Sequence, residues 1–268
     1  HVIKDCMHVT LDEGDFIYNE LPEIIKGHYD QSKYVPSEPV PSKVCGLYIS
    51  SKPDTIIEVK MKYVNVDCES GGLMAFVDGW ELNGQYFPPP QSHQRKFSER
   101  IVEFCSDSTN NWYEILSSKC SITTSKCSFL FHLVFNNITI LTIACNIMMH
   151  DANSYILSNY GKHQNCSITA LFPIVVSLRK FKVGSKSNYC KQEDRIEIGG
   201  TGELDTANME KIDNVCGYSD NVGVEKAVFC GVSSVHLISS GNYFNEAEIF
   251  IRQADENDID LPNVICPS

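Results

Sequence analysis

Alternation of apolar and polar residues dominates the chain. The longest example is 55–66, where one set of alternate positions holds Ile57, Val59, Met61 and Tyr63 and the other holds the charged residues Glu58, Lys60 and Lys62. A period of two places successive side chains on opposite faces of a strand, so this segment predicts a β-strand with one buried and one wet face. Helical spacing is sparse, since few windows repeat apolar residues at intervals of three and four.

Shorter runs of the same kind recur along the chain, separated by turn pairs such as Asp78-Gly79, Asn83-Gly84 and Gly199-Gly200. Many short strands with this turn chemistry are typical of β-sandwiches and jelly rolls. The sequence therefore predicts an all-β fold. The other predicted strands are 72–77, 101–104, 128–135, 139–144, 167–176, 195–198, 227–229, 235–238 and 247–252.

The cysteine pattern repeats between the two halves of the chain. Cys45 and Cys68 bracket an apolar β segment, Cys166 and Cys190 bracket another, and each is followed by a strand that runs into a glycine turn. A length of 268 residues also favours two units, because single cores rarely grow so large. We therefore expect two domains, at 1–143 and 144–268.

Twelve cysteines without zinc-type spacing predict disulfides and an oxidising, extracellular compartment. The count alone leaves many connectivities open. The repeat favours pairing of cysteines that are neighbours in sequence, with the shortest loop pinning a hairpin tip. The expected pairs are Cys6–Cys45, Cys68–Cys105, Cys120–Cys127, Cys145–Cys166, Cys190–Cys216 and Cys230–Cys266.

Two sequons, at Asn137 and Asn165, agree with a secreted glycoprotein. The longest apolar stretch, 138–149, is shorter than the ~20 residues that cross a bilayer. The chain starts at His1 without a signal-peptide pattern, and we expect a processed, soluble mature form.

The net charge of −12 argues against nucleic acid and anionic membrane as partners, because both attract basic surfaces. The one basic concentration, at 179–191, is interpreted as a solvated face. The sequence contains none of the catalytic motifs G-x-S-x-G, H-E-x-x-H or the P-loop, and its eight histidines are scattered along the chain. We expect a binding protein that is not an enzyme and holds no cofactor.

Cysteine pairs that flank alternating strands resemble the CUB domain, an extracellular β-sandwich. A second resemblance is carried by FVDGW at 76–80, ERIVEFC at 99–105, NCS at 165–167, FPIV at 172–175, GGTG at 199–202 and SSG at 239–241. In this order, with ten of the twelve cysteines in register, these segments resemble the corticotropin-releasing factor-binding protein family. Cys120 and Cys127 depart from the family's pattern.

This resemblance implies two disulfide-rich, CUB-like β-sandwich domains of the jelly-roll type. It implies a secreted protein that holds a corticotropin-releasing-factor-like peptide hormone and keeps it from its receptor. In an invertebrate the peptide would be a related diuretic hormone. Pairing of sequential cysteines and a glycan at Asn165 are implied as well. Val2 and His8 stand where the vertebrate pattern has arginines and an acid.

A CUB-type adhesion or protein-complex module is the alternative interpretation, and it would show calcium-dependent association. Many CUB domains bind calcium through an acid after the third cysteine and another in a late loop. Asp194 occupies the first position in the second half, but Ser240-Gly241 occupies the second. A hard cation needs several oxygen ligands, so we expect no metal site.

Capture of an amphipathic helix requires apolar anchors with a polar rim. The candidate anchors are Trp80, Tyr86, Phe87, Trp112 and Tyr113. Two alternatives stay open: Trp80 and Phe87 cap the sandwich core, or an exposed edge strand binds the ligand by β-augmentation.

Overall fold

A computed structural model describes residues 1–19, 44–52, 55–69, 71–93, 95–104, 111–115, 119–125, 127–137, 145–149, 151–186, 190 and 194–267, with the backbone alone at 111–115, 119, 120, 125 and 137. The regular structure in these ranges is β-strand, with four short 3-10 helices and no α-helix. None of the helices in the described ranges has the length and apolar character needed to span a membrane.

The chain folds as two compact units. The first comprises His1–Trp80 and Ser98–Thr139, and the second comprises Glu81–Phe97 and Ile140–Ser268. The predicted boundary at 143/144 assigned all of Glu81–Phe97 to the first domain, whereas this segment clusters with the second unit.

The described residues before position 138 contain twelve strands. They are β1 (Val2–Ile3), β2 (Met7–Thr10), β3 (Gly14–Asn19), β4 (Cys45–Ser50), β5 (Thr55–Val66), β6 (Leu73–Asp78), β7 (Trp80–Leu82), β8 (Gln85–Phe87), β9 (Ile101–Phe104), β10 (Asn111–Ile115), β11 (Lys119–Ser125) and β12 (Cys127–Asn137). Two 3-10 helices, Pro90–Ser92 and Phe97–Glu99, lie between β8 and β9.

The first unit is a sandwich of two five-stranded sheets. One sheet has the order β1-β3-β12-β5-β10 and the other β2-β4-β11-β6-β9. Tyr63, predicted on the buried face of β5, is 43% exposed, because the pairing of β5 with β12 shifts by one residue between Met61 and Tyr63. The predicted alternation is observed at Ile57, Val59 and Met61, which are fully buried while the intervening side chains are half-exposed. These residues meet Leu47 and Ile49 of the second sheet in one core, and burial of this apolar area drives the packing of the layers.

The second unit contains the remaining strands. They are β13 (Asn146–Met148), β14 (Asn153–Ser158), β15 (Cys166–Ala170), β16 (Ile174–Val183), β17 (Arg195–Thr201), β18 (Glu210–Val215), β19 (Gly217–Ser219), β20 (Lys226–Phe229), β21 (Val232–Ile238), β22 (Glu246–Gln253) and β23 (Asn263–Ile265). The 3-10 helices Thr206–Asn208 and Glu256–Asp260 complete it.

Two sheets also form this second sandwich. Their orders are β13-β15-β21-β17-β18 and β14-β22-β16-β20-β23, with β19 paired to β16. A single buried cluster between them draws on both sheets, for example Ile168 and Leu237 from the first and Leu178 and Ile249 from the second. The prediction of an all-β, disulfide-rich sandwich fold is confirmed.

Disulfides whose two cysteines are both among the described residues join Cys6 to Cys45, Cys145 to Cys166, Cys190 to Cys216 and Cys230 to Cys266. These are pairs of cysteines that are neighbours in sequence. Cys105 and the side chain of Cys120 lie outside the described residues, so Cys68–Cys105 and Cys120–Cys127 stay predictions.

A tight hairpin lies at the start of the early segment that clusters with the second unit. Asn83 and Gly84 connect β7 to β8 with φ of +53° and +78°. Positive φ at both central residues is the geometry in which Asn-Gly closes a two-residue hairpin. The Gly84 amide donates to Glu81 Oε1 at 2.8 Å, which fixes the turn.

Candidate functional site

An exposed apolar row follows strand β2 in the first unit. Met7, Val9 and Leu11 occupy alternate positions and are 53%, 60% and 60% exposed, respectively. Met7 and Val9 are alternate residues of β2 and point to the same side, and Leu11 follows one residue beyond the end of the strand. We call these three residues the β2 row. Contiguous exposed apolar surface marks interaction sites more often than isolated apolar residues do.

Strand β2 is held firmly although it lies at a sheet edge. It pairs in parallel with β4, with Met7 opposite Gly46 and Val9 opposite Tyr48. The Cys6–Cys45 disulfide ties the start of β2 to β4, and the Gly46 amide donates to the Cys6 carbonyl at 2.7 Å. In the described part of the chain, the other edge of β2 has no strand beside it. The β2 row is therefore a fixed surface next to an open strand edge.

The outer face of the opposite sheet is mixed: Val2, Ile17 and Tyr63 are 66%, 44% and 43% exposed there, beside a charged cluster. Asp15 Oδ1 accepts hydrogen bonds from Lys62 Nζ at 2.6 Å and from His132 Nδ1 at 2.9 Å. The hydrogen bonds from Lys62 and then His132 lower the pKa of Asp15, so this carboxylate stays ionised at neutral pH.

The structure buries two of the predicted anchors. Trp80 is 7% exposed, its Nε1 donates to the Ile49 carbonyl at 3.0 Å, and its ring meets Tyr48 edge-on at 5.5 Å. Phe87 is fully buried. The expectation that they lie exposed is thus corrected: a satisfied indole N–H and full burial leave neither ring free for a ligand.

Tyr86 is half-buried in the second unit. Its ring packs edge-on against Phe97 with 4.5 Å between centroids, and Phe97 is 39% exposed. Trp112 and Tyr113 lie on β10, an edge strand in the described part of the chain, where they pair with Lys60 and Val59 of β5. Their side chains lie outside what the structure describes. The five predicted anchors do not form one described cluster.

Comparison with known proteins identifies the family. Residues 24–144 match the corticotropin-releasing factor binding protein N-terminal domain, and residues 146–260 match the C-terminal domain of the same family. The chain belongs to the corticotropin-releasing factor-binding protein family. The β2 row precedes the first matched residue, so its properties are those of this chain and are not inherited from the match.

Relatives in this family span most of the chain. The human corticotropin-releasing factor-binding protein is 27% identical over 241 residues, which cover 83% of this chain and 73% of the relative. The rat protein is 25% identical over 235 residues, with coverage of 80% and 70%.

Solved structures with partial similarity include the CUB1-EGF-CUB2 domains of rat MASP-1, at 12% identity and a TM-score of 0.26 over 81% of this chain and 95% of that one. The extracellular region of zebrafish Gpr126/Adgrg6 has 11% identity and a TM-score of 0.29 over 94% of this chain and 34% of that one. Scores this low support no conclusion about the chain.

The β2 row is the surface that sequence reasoning missed. Its signal is the alternation Met-His-Val-Thr-Leu at 7–11, which resembles an ordinary half-buried strand. The pattern predicts which residues share a face of the strand. Only the folded sheet shows that no described residue covers the face that carries the β2 row.

Asp194, the acid weighed for calcium, lies in a closed hydrogen-bond network. Its carboxylate accepts from Ser240 Oγ and Asn245 Nδ2, both at 2.6 Å, and from the Ser240 amide at 3.1 Å. Asn159 and Asn245 are fully buried and join the loop at 158–163 to the loop at 239–245. The described residues contain no group of three or more His, Cys, Asp or Glu side chains placed to hold a metal ion.

Proposed function

We propose that this chain is a secreted binding protein that captures a corticotropin-releasing-factor-like peptide hormone and limits its access to the receptor. Membership of the family supports the class of ligand, because relatives are named for that binding. The observation that carries the site is the β2 row, an exposed apolar surface on a disulfide-anchored strand. Four disulfides accord with secretion, since such bridges persist in oxidising compartments.

Binding would place the apolar face of an amphipathic helix on the β2 row. A helix offers apolar residues at intervals of three and four, and these can cover a flat row of aliphatic side chains. Burying a side chain of this size is favourable by roughly 1.5–3 kcal/mol. Only part of that gain becomes affinity, because association also costs orientational freedom. Met7 would adapt to different ligand shapes through its flexible thioether chain.

Charges around the row favour a ligand with basic flanks. Asp5, Asp12 and Glu13 are exposed beside the row, and Lys4 is the one lysine or arginine between His1 and Glu13. The whole chain carries a net charge of −12. Such a field accelerates encounter with a basic peptide more than it raises final affinity. Diuretic-hormone-like peptides are included in the proposed ligand class.

The site is tested by replacing Val9 with glutamate. Val9→Glu would place a charge where the helix buries an apolar face, and we expect affinity for a corticotropin-releasing-factor-like peptide to fall at least about tenfold, or ~1.4 kcal/mol. Val224→Glu is the matched control, because Val224 is 69% exposed in the second unit. Equal affinities of the two variants and the unmodified protein in calorimetric titration would remove the β2 row from the site.

The sequestering role has its own test. In cells that carry the hormone receptor, added protein should lower the response to a fixed dose of peptide, and Val9→Glu protein should lower it less. A response that is unchanged or enhanced by a saturating excess of the protein would contradict sequestration while leaving binding intact.

A further inference from the structure

A polar groove of about 300 Å³ lies in the second unit, between residues 91–93 and the loop at 162–165. Its volume is at the lower end of the range for small-molecule sites. The side chains that line it carry amide, imidazole, hydroxyl and ammonium groups. Such a surface suits a ligand that is rich in hydroxyl and amide groups and poor in apolar area.

Both walls of the groove are fixed by hydrogen bonds. Asn146 Nδ2 donates to the Ser92 carbonyl at 2.6 Å, and Ser167 Oγ donates to Asn146 Oδ1 at 2.8 Å, which ties the first wall to β13 and β15. On the other wall, the Lys162 amide donates to the Asn159 carbonyl at 2.9 Å. Asn159 Nδ2 returns a bond to the Lys162 carbonyl at 3.0 Å. The groove is thus preformed.

Asn165 lies on the lining of this groove and begins the sequon Asn165-Cys166-Ser167. Its Oδ1 accepts a hydrogen bond from the Ser239 amide at 3.1 Å, which fixes the orientation of the carboxamide. Nδ2 of Asn165 has no hydrogen-bond partner among the described residues. The acceptor atom of the side chain is therefore engaged, while the nitrogen that carries an N-linked sugar is available.

We infer that this groove seats the first N-acetylglucosamine of an N-linked glycan carried by Asn165. The sugar's hydroxyl and acetamido groups both donate and accept hydrogen bonds, as do the amides of Gln91 and Gln164. His163 and Lys162 supply further donors on the side of the attachment point. Contacts to both walls would hold residues 91–93 against the loop at 162–165 and so stabilise the second unit.

Attachment must precede folding of this region. Ser167 is 1% exposed and Cys166 is bridged to Cys145, so the folded sequon cannot extend into a transferase. In the transfer, C1 of the sugar of a lipid-linked oligosaccharide diphosphate bonds to Asn165 Nδ2. The C1–phosphate bond breaks, the lipid diphosphate leaves with its electron pair, and Nδ2 loses one proton.

The test compares two enzymatic trims of one glycoprotein. The full chain is secreted with high-mannose glycans and with Asn137→Gln, so that Asn165 carries the remaining sequon. Endoglycosidase H leaves one N-acetylglucosamine on Asn165. Peptide N-glycosidase F hydrolyses the side-chain amide, releases the whole glycan as a glycosylamine and leaves aspartate, so unglycosylated Asn165→Asp protein is the reference for the effect of the new carboxylate. We expect the first product to melt like the untrimmed protein and the second to melt about 2–4 °C lower, as for the loss of a few hydrogen bonds.

Groove variants separate a seated sugar from a general effect of glycosylation. In Gln91→Ala and His163→Ala proteins the difference in melting temperature between the two trimmed forms should shrink, and Asn165→Gln protein should melt like the fully deglycosylated form. Equal melting of the two trimmed forms, or peptide mass spectra that show Asn165 unmodified, would overturn the inference. Hormone affinity of both trimmed forms should be equal, so the result is independent of the proposed function.

Discussion

The buried imidazole of His236 predicts a specific loss of stability in mild acid. His236 lies on β21 opposite Glu197 of β17, and its Nε2 is 2.8 Å from Thr206 Oγ1. Burial lowers the pKa of His236 from 6.5 to about 4; the charges of Glu197 and Asp205 oppose this shift, and that of Lys211 supports it. The folded protein therefore keeps this side chain neutral at a pH where the unfolded chain protonates it.

The sign and size follow from proton linkage. Between pH 6.5 and about 4 the unfolded state binds a proton that the folded state does not, so stability rises with pH across this window and is lost as pH falls. Lowering the pH from 7 to 5 should cost about 2 kcal/mol through this group. Burial raises the pKa of Glu197, but hydrogen bonds from Lys211 and Arg195 outweigh it and bring the pKa below its ordinary value, so Glu197 stays ionised over the range.

The assay is urea unfolding of the unmodified protein and of His236→Gln at pH 7 and pH 5. Unfolding is read by hydrogen-exchange mass spectrometry on peptides from β21, which reports on the second unit alone. His236→Gln removes the titrating group but keeps a side chain that can bond Thr206. We expect the unmodified protein to lose about 2 kcal/mol more than the variant between the two pH values. Equal losses in both proteins would refute the reasoning.

Two further predictions concern the second unit. Asn245→Ala should lower the free energy of unfolding of this unit by about 3 kcal/mol, because Asn245 is fully buried and its loss leaves Asp194 and the Gly184 amide without a hydrogen-bond partner each had. The control is Asn242→Ala at the exposed tip of the same loop, which should change the free energy of unfolding by less than about 0.5 kcal/mol. Urea unfolding that gives equal effects would contradict the network's role. Replacing both Cys190 and Cys216 with alanine should lower the free energy of unfolding by roughly 3.5 kcal/mol, as expected for opening a loop with a sequence separation of 26. Unchanged thermal unfolding of this variant would contradict the prediction.

The strand layout could be predicted from the sequence because burial imposes it locally. Strand β5 alternates since one face lies against the core, and the Asn83-Gly84 turn follows from the φ values that these residues allow. The burial of Trp80 could not be predicted from the sequence. The residues that pack over its ring, and the Ile49 carbonyl that accepts a hydrogen bond from its indole N–H, belong to distant parts of the chain. The clustering of Glu81–Phe97 with the second unit could not be predicted either, because it rests on contacts with residues far along the sequence.

The candidate site was harder to predict than the fold for a related reason. A ligand surface consists of apolar residues that the protein itself leaves uncovered, and alternation does not distinguish these from core residues. Met7, Val9 and Leu11 have the same pattern as buried strands elsewhere in the chain.

The central claim is tested most directly by calorimetric titration of the purified protein with a panel of corticotropin-releasing-factor-like and diuretic-hormone-like peptides. The account predicts saturable binding with a dissociation constant below about 1 μM, or ~8 kcal/mol, for at least one of them. Binding should persist in the presence of a calcium chelator. Affinities weaker than micromolar for every such peptide, or binding to another large protein only when calcium is present, would contradict it.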